Sequence, residues 1–291
     1  MSFLIGYAPL FDLFLLHIGL AFSQWIVLRA GVFSLATVGF AGIGAYAAGI
    51  LAVKYGGHPV LGVMLATLLG MGAALVLSWP LARLRGVYQA IATVAFVQIV
   101  VSLNVYAEGV TGGPMGLNGI PKTVGTGVLL VAGVFTVWLM HAISTGRVGR
   151  AFDAIRQNEA VAASLGVRIP LYQALAFAIS GALAGFYGAL EAYHSYALDP
   201  NQFAFSYLIA ILSYVVLGGR NSVIGPIVGT IVLIALPEIS RPMAESRMLV
   251  YGVLLILVIN YLPRGIADTA LHALHKRRLA ARAAALKAGG N

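Results

Sequence analysis

The sequence predicts an all-α protein, a polytopic transmembrane bundle of about eight to ten helices. Three observations carry that prediction. Hydrophobic residues make up 60% of the chain, the mean hydropathy is +0.93, and apolar runs near the ~20 residues needed to cross a bilayer recur along it. The length, 291 residues, would allow about two soluble domains, but no polar stretch is long enough to fold as one. Glycine is 35 of 291 residues, roughly 12% against a usual ~7%, which points to close helix contacts.

The spans fall at about 5–28, 32–53, 59–82, 87–106, 124–143, 170–192, 203–219, 222–239 and 246–262, each carrying the apolar length that a hydrocarbon core of ~30 Å demands. The first, Met1 to Phe22 and beyond, has an apolar core but no basic leader and no small-residue cleavage site, so it reads as a span rather than a signal peptide. The fourth is the most polar, with Tyr88, Gln89, Thr93, Gln98, Ser102 and Asn104. The seventh and eighth are short and separated only by Gly218-Gly219-Arg220-Asn221, so one of the pair is a candidate re-entrant or broken element. Residues 1–262 thus form the transmembrane domain, interrupted by a charged loop at 147–169, and residues 263–291 form a basic tail. Small residues four apart, Gly44 with Ala48, Gly181 with Gly185 and Gly225 with Gly229, suit the close approach that helix packing in lipid requires.

Lys and Arg bias sets orientation. With the 147–169 loop cytoplasmic, only Lys54, Lys122, Arg241 and Arg247 of the 18 basic residues fall outside. The tail and the C-terminus are then cytoplasmic, the tail lying as a short helix near anionic lipid. The net charge of +9 follows from topology; no aromatic-interleaved basic patch suggests nucleic acid. Absence of cysteine excludes disulfides, thiolate nucleophiles and sulfur-ligated metals. Neither a His-Glu-x-x-His run nor a Gly-x-Ser-x-Gly elbow occurs, so no enzyme is indicated, and without a Gly-x4-Gly-Lys-Ser/Thr loop the chain has no Walker site for ATP.

The charged loop is the most informative stretch. Six charged side chains, Arg147, Arg150, Asp153, Arg156, Glu159 and Arg168, interrupt an otherwise greasy sequence. Residues 150–165 read as one or two amphipathic helices with Phe152, Ile155, Ala162 and Leu165 apolar. Asp153 with Arg156, and Arg156 with Glu159, stand at pairing distance on a helix. Gly166 suits a helix C′ position and Pro170 the first turn of the next span. Such a loop serves either as a docking element or as a solvated segment on the headgroups.

The run Gly149-Arg150-Ala151-Phe152-Asp153-Ala154-Ile155-Arg156-Gln157-Asn158-Glu159-Ala160, followed by Gly166, resembles the ATPase-contacting loop of the branched-chain amino acid permeases of ATP-binding-cassette importers. Further similar stretches follow in family order: Ser34 to Tyr46, Arg83 to Tyr88, Thr111 to Leu117, Leu217 to Pro226, and Pro263-Arg264-Gly265. Val161 departs from the loop pattern and Arg220 interrupts a glycine-rich stretch, which leaves the substrate branch open. The resemblance implies an inner-membrane permease that works with a second permease subunit, two cytoplasmic ATPase subunits and an extracytoplasmic solute-binding protein, ATP being used by the ATPases and no cofactor being held by this chain. It implies that Arg150, Asp153, Arg156, Glu159, Ala160 and Gly166 form the coupling loop. The substrate is expected to be a branched-chain amino acid or a similar small solute such as urea or a short amide. Composition alone admits an ion-coupled secondary transporter or channel as the alternative.

Within the spans, Gln89 and Thr93 share one helix face and are the candidates for lining a substrate path, interhelical hydrogen bonding being the other reading. Asp12 and His17 are intramembrane ionisable groups and therefore functional candidates, although Asp12 near the outer end also suits contact with water and His17 a packed neutral imidazole. Glu191, His194 and Asp199 would hold a metal only by converging, and their spacing suggests a solvated surface. Gly112-Gly113-Pro114-Met115-Gly116 forms an outer loop with specific turns, either a binding-protein contact or a plain connection.

Overall fold

The computed structural model describes residues 2–239, 252, 256 and 265–269. In chain order the helices are α1 (Ser2–Arg29), α2 (Thr37–Tyr55), α3 (Pro59–Leu81), α4 (Val87–Tyr106), the single turn α5 (Glu108–Thr111), α6 (Thr126–Thr145), α7 (Arg147–Gln157), α8 (Glu159–Ser164), α9 (Ile169–His194), α10 (Phe205–Gly218) and α11 (Ile224–Ile239). Two short strands, β1 (Leu117–Asn118) and β2 (Ala197–Leu198), pair antiparallel with Leu117 opposite Leu198. Six described helices are long and apolar enough to cross a membrane: α1 from Pro9, α2, α3, α4, α6 and α9. The polytopic helical bundle is therefore observed. The expected span at 246–262, apart from Gly252 and Ile256, and the tail, apart from residues 265–269, lie outside the described residues.

The second span starts later than its apolar run predicts. Residues 30–36 are non-helical and mostly buried, and the chain satisfies their polar groups with side chains from other segments. Gln24 donates through Nε2 to the Ser34 carbonyl (2.6 Å) and accepts from the Thr37 hydroxyl (2.7 Å), while the Leu35 amide donates to Thr93 Oγ1 (3.0 Å). Irregular backbone at membrane depth is tolerated only with such partners. Helix α3 opens where the sequence signals it, with Pro59 in its first turn and His58 accepting from the Val60 amide.

The chain divides after Leu212 into two compact units. In the first, α9 lies against α1, α2 and α3. Its small residues are the reason. A Cβ at Gly181 would meet the Gly70 carbonyl of α3, one at Gly185 the Ala66 carbonyl, and one at Gly188 the Ala41 carbonyl of α2; Gly44 of α2 faces the Gly185 backbone in turn. Lipid tails offer helices no hydrophobic gain on association, so backbone-to-backbone approach supplies the van der Waals contact that holds them. The lipid-facing sides are apolar: Met64, Leu68 and Val76 of α3 and Ile91 and Ile99 of α4 are exposed. Exposed Trp79 and Tyr88 mark one end of α3 and α4 and exposed Tyr55 and Tyr106 the other end of α2 and α4, the placement of interfacial aromatic belts.

In the second unit the residues after α10 form a tight turn at glycine. Gly219 adopts φ +115 and Gly265 φ +86, and these two backbones touch. Asp268 accepts from the Asn221 amide (2.9 Å) and from Asn221 Nδ2 (2.8 Å). With 14 and 16 residues, α10 and α11 are shorter than the ~20 residues of a perpendicular span, so both helices of this pair are short, as the sequence predicts.

Gly185→Leu is expected to cost about 1–3 kcal/mol through overpacking and to lower the thermal midpoint of the detergent-solubilised protein. Gly72→Leu is the control, because a Cβ there meets nothing within 4 Å, and it should leave the midpoint unchanged.

Candidate functional site

The 147–169 loop folds into two helices set on one end of the bundle. Gly146, in extended backbone, separates α6 from α7, and Gly149 lies so close to the Ser144 and Ile143 carbonyls that no side chain fits. Helix α7 buries Phe152 and Ile155, with the Phe152 ring edge-on to Tyr172 of α9 at 6.3 Å. At Asn158 the backbone becomes extended, and its Oδ1 accepts from the amides of Ala160 (3.0 Å) and Val161 (3.2 Å), which ends α7 and caps α8. Gly166, at φ +85, closes α8: its amide and that of Val167 return to the carbonyls of Ala163 and Ala162. Pro170 then stands in the first turn of α9.

Charge fixes this pair of helices to the bundle. Arg29, at the end of α1 and almost fully buried, donates from Nε to Asp153 Oδ1 (3.0 Å) and from a terminal nitrogen to Oδ2 (2.7 Å). That is a bidentate pair, the strongest geometry for a guanidinium and a carboxylate. Arg29 also donates to Ser144 Oγ and lies over the Trp25 ring at 5.0 Å. Arg156 stands 3.8 Å from Asp153, as their three-residue spacing predicts. Glu159 lies 3.6 Å from Arg85 of the α3–α4 connection, and Arg150 donates to the Thr145 carbonyl (3.0 Å). Between α7 and α8 runs an open groove of about 350 Å³, lined among others by Arg150, Asp153, Gln157, Val161 and Leu165.

The loop helices hold one correction and one addition. Leu165, expected on the buried face, is 75% exposed, because Asn158 breaks the helix and Leu165 ends up at the C-cap of α8 instead of continuing the α7 stripe. Arg29 carried no signal in the charged loop; a lone arginine at the C-terminal end of the first span was the clue. Ala160 and Gly166 are exposed and Glu159 half-buried on the same surface.

The two candidate path residues lie in the interior. Thr93 donates to the backbone of α4 (2.9 Å) and accepts from Leu35, and Gln89 donates to the Leu81 carbonyl (3.3 Å), so both side chains have partners within the chain. His17 is packed, Nδ1 at 2.7 Å from the Leu13 carbonyl and its ring edge-on to Tyr207. Asp12 lies 3.8 Å from Nε2 of His194, whose Nδ1 contacts the Val124 carbonyl at 3.2 Å. Glu191 is buried, not solvated, and accepts from Gln202 Nε2; Asp199 instead caps the turn at Pro200–Phe203 through the Asn201 amide (2.9 Å). Among the described residues no group of three or more His, Asp or Glu converges on a metal position. The glycine loop is built with Gly112, Gly113 and Gly116 all at positive φ, the Gly116 backbone pressed on the Leu198 carbonyl of β2.

Comparison with known proteins agrees on one family. The family described as branched-chain amino acid transport system, permease component, matches residues 10–259. The chain is 30% identical over 275 residues to each of two proteins named high-affinity branched-chain amino acid transport system permease protein LivM, from Salmonella typhimurium and from Escherichia coli. The alignment covers 83% of this chain and 65% of those relatives, so the chain spans under two thirds of their length. No solved structure matches it.

Arg29→Met and Asp153→Asn should each destabilise the protein by about 1–3 kcal/mol, between the ~0–1 of an exposed pair and the ~3–5 of a fully buried one. The double variant should cost less than the sum of the two, since each single change strands the other charge. Thermal unfolding in detergent of all four proteins measures the difference.

Proposed function

The chain belongs to the branched-chain amino acid transport system permease family, and from that premise we propose that it is the membrane-spanning permease subunit of an ATP-binding-cassette importer of the bacterial inner membrane. The observation that carries the reading is the α7–α8 pair: a polar, grooved surface at one end of a greasy bundle, too well anchored to be a passive connection. The partners are a second permease subunit, two cytoplasmic ATPases and an extracytoplasmic binding protein. The ATPases bind and hydrolyse ATP; this chain holds no cofactor.

In this mechanism closure of the ATPases displaces α7 and α8. The displacement enters the bundle at two points, through Asp153 to Arg29 of α1 and through Phe152 to Tyr172 of α9. Arg150 and Glu159 lie on the outer surface of the pair and read the ATPase, while Asp153 and Arg156 couple that surface to α1. Gly166 sets where the loop turns into α9. The C-terminus is cytoplasmic on this reading, and the glycine loop at 112–116 lies on the face that meets the binding protein. The substrate is a branched-chain amino acid or a similar small polar solute, with Gln89 and Thr93 as path-side positions whose substitution would alter flux.

Co-expression of the chain with its partner subunits, followed by gentle extraction, tests the assembly directly. An ATPase should co-purify and be stimulated by liganded binding protein. Glu159→Lys should lower that stimulation severalfold while the chain still inserts in the membrane, because it reverses a charge on the docking surface without touching a span. A stable particle without ATPase that moves solute along an ion gradient would replace the reading with secondary transport.

A further inference from the structure

Helix α4 turns an unusual surface outward. Its buried side, with Thr93, Val97, Val100 and Asn104, lies against α2 and the turns at Gly113–Met115 and Pro200–Phe203. On the opposite side Ala95, Gln98 and Ser102, at spacings of three and four, share one exposed patch. Gln98 stands ~15 Å along the helix from Tyr88 and ~12 Å from Tyr106, at ~1.5 Å per residue, and both tyrosines are exposed at the helix ends. Its amide therefore lies near the middle of a hydrocarbon core of ~30 Å. Within the described chain the Gln98 side chain has no hydrogen-bond partner. Elsewhere in the spans Ser23, Thr93 and Thr136 are buried and bonded, and the exposed faces of α3 at Met64 and Leu68 and of α6 at Val131 and Phe135 are apolar. A carboxamide carries two N–H donors and an acceptor. Lipid tails satisfy none of them, whereas a neighbouring helix does.

We infer that the Ala95, Gln98 and Ser102 patch of α4 is the surface on which the second permease subunit packs, through a membrane-spanning helix that sets a hydrogen-bonding side chain opposite Gln98. Ala95 and Ser102 flank the amide with small side chains, which lets the backbone of that helix come close enough for its polar group to reach it. The patch covers about two turns and is bordered by the exposed apolar side chains of Ile91 and Ile99. That extent fits a crossing helix; a water-filled path would need polar residues along the whole span. Arg85, just before α4, lies 3.6 Å from Glu159 of α8, so α4 enters the bundle beside the surface proposed to meet the ATPase. The inference rests on the importer reading and deepens it by assigning the face that meets the second subunit.

The test uses the full set of subunits co-expressed in membranes, with photo-reactive benzoylphenylalanine placed at Ala95 or, as control, at Phe135 on the apolar face of α6. Irradiation should join residue 95 to the second permease subunit severalfold more than residue 135. Where the bulky group at 95 instead keeps that subunit out of the gently extracted complex, the thermal midpoint of this chain alone should be unchanged. Gln98→Leu should lower the second subunit retained per chain severalfold, as loss of an interhelical hydrogen bond predicts. Gln98→Asn should restore part of it, with the midpoint of the chain alone the same in both. Adducts of residue 95 with lipid, with a second copy of this chain or within the chain, while ATPase and second subunit still co-purify, overturn the α4 seam and leave the importer reading standing. Full retention with Gln98→Leu, or a lowered midpoint of the chain alone, takes Gln98 out of the seam and overturns it too. A wild-type chain with which neither a second permease subunit nor an ATPase co-purifies overturns the importer reading itself.

Discussion

The contact on which everything else depends is the backbone-to-backbone approach of α9 to α3 and α2. Gly181, Gly185 and Gly188 each face a carbonyl of a neighbouring helix, at separations a methyl group would not fit. In lipid this is the interaction that distinguishes one arrangement of helices from another, since burying Leu against Leu gains little over burying Leu against acyl chains. A seam of that kind is also stiff. Side chains adapt by changing rotamer, whereas carbonyls packed on Cα atoms have no rotamers to change, so α9 with α2 and α3 moves as one body.

Helix α1 is joined to that body by polar contacts along its length. Ser23 donates to the Ser180 carbonyl at 2.8 Å, and Gly19 accommodates the ring of Tyr187, whose hydroxyl pairs with Thr136 of α6 at 2.9 Å. The Arg29–Asp153 pair then ties the end of α1 to α7, and the Phe152–Tyr172 contact ties α7 to the start of α9. Helix α7 therefore grips both α1 and α9. A push on α7 that left Arg29 and Tyr172 in place would break a half-buried ion pair; rotation of α1 and α9 with α7 keeps it intact.

How much of this was legible depends on whether the signal was local. Helix α4 begins and ends where its apolar run does, and Gly166 and Pro170 marked the loop's exit correctly, because caps and breakers act on their own neighbours in the chain. The opening of α2 was misplaced, since residues 32–36 are as apolar as a helix and only Gln24 and Thr93, from other segments, make their non-helical course affordable. Arg29 and Asp153 are likewise far apart in sequence, and no periodicity joins them. Leu165 reads as an apolar position of one or two amphipathic helices, and one Asn side chain capturing two amides starts α8 in a register that leaves it at an exposed C-cap. Glu191, expected with His194 and Asp199 on a solvated surface, is buried, and the three turn to different partners, those of Glu191 and His194 lying far from them in sequence.

The interior polar groups differ in a way that bears on their purpose. Gln24, Ser23, Thr93 and Thr136 are hydrogen-bonded to backbone or to one another, as a bundle without water requires. They are neutral, short, and complete. Asp12 and Glu191 differ in being carboxylates: both are buried, Asp12 beside His194 and Glu191 accepting from Gln202. Packing does not demand them, because a leucine or glutamine of similar volume fills a helix interface at lower desolvation cost. Among the described residues Asn104 Nδ2 and Ser222 Oγ are buried without a hydrogen-bond partner, as Asp12 Oδ1 is, so an unmatched polar atom is not confined to the carboxylates of α1 and α9.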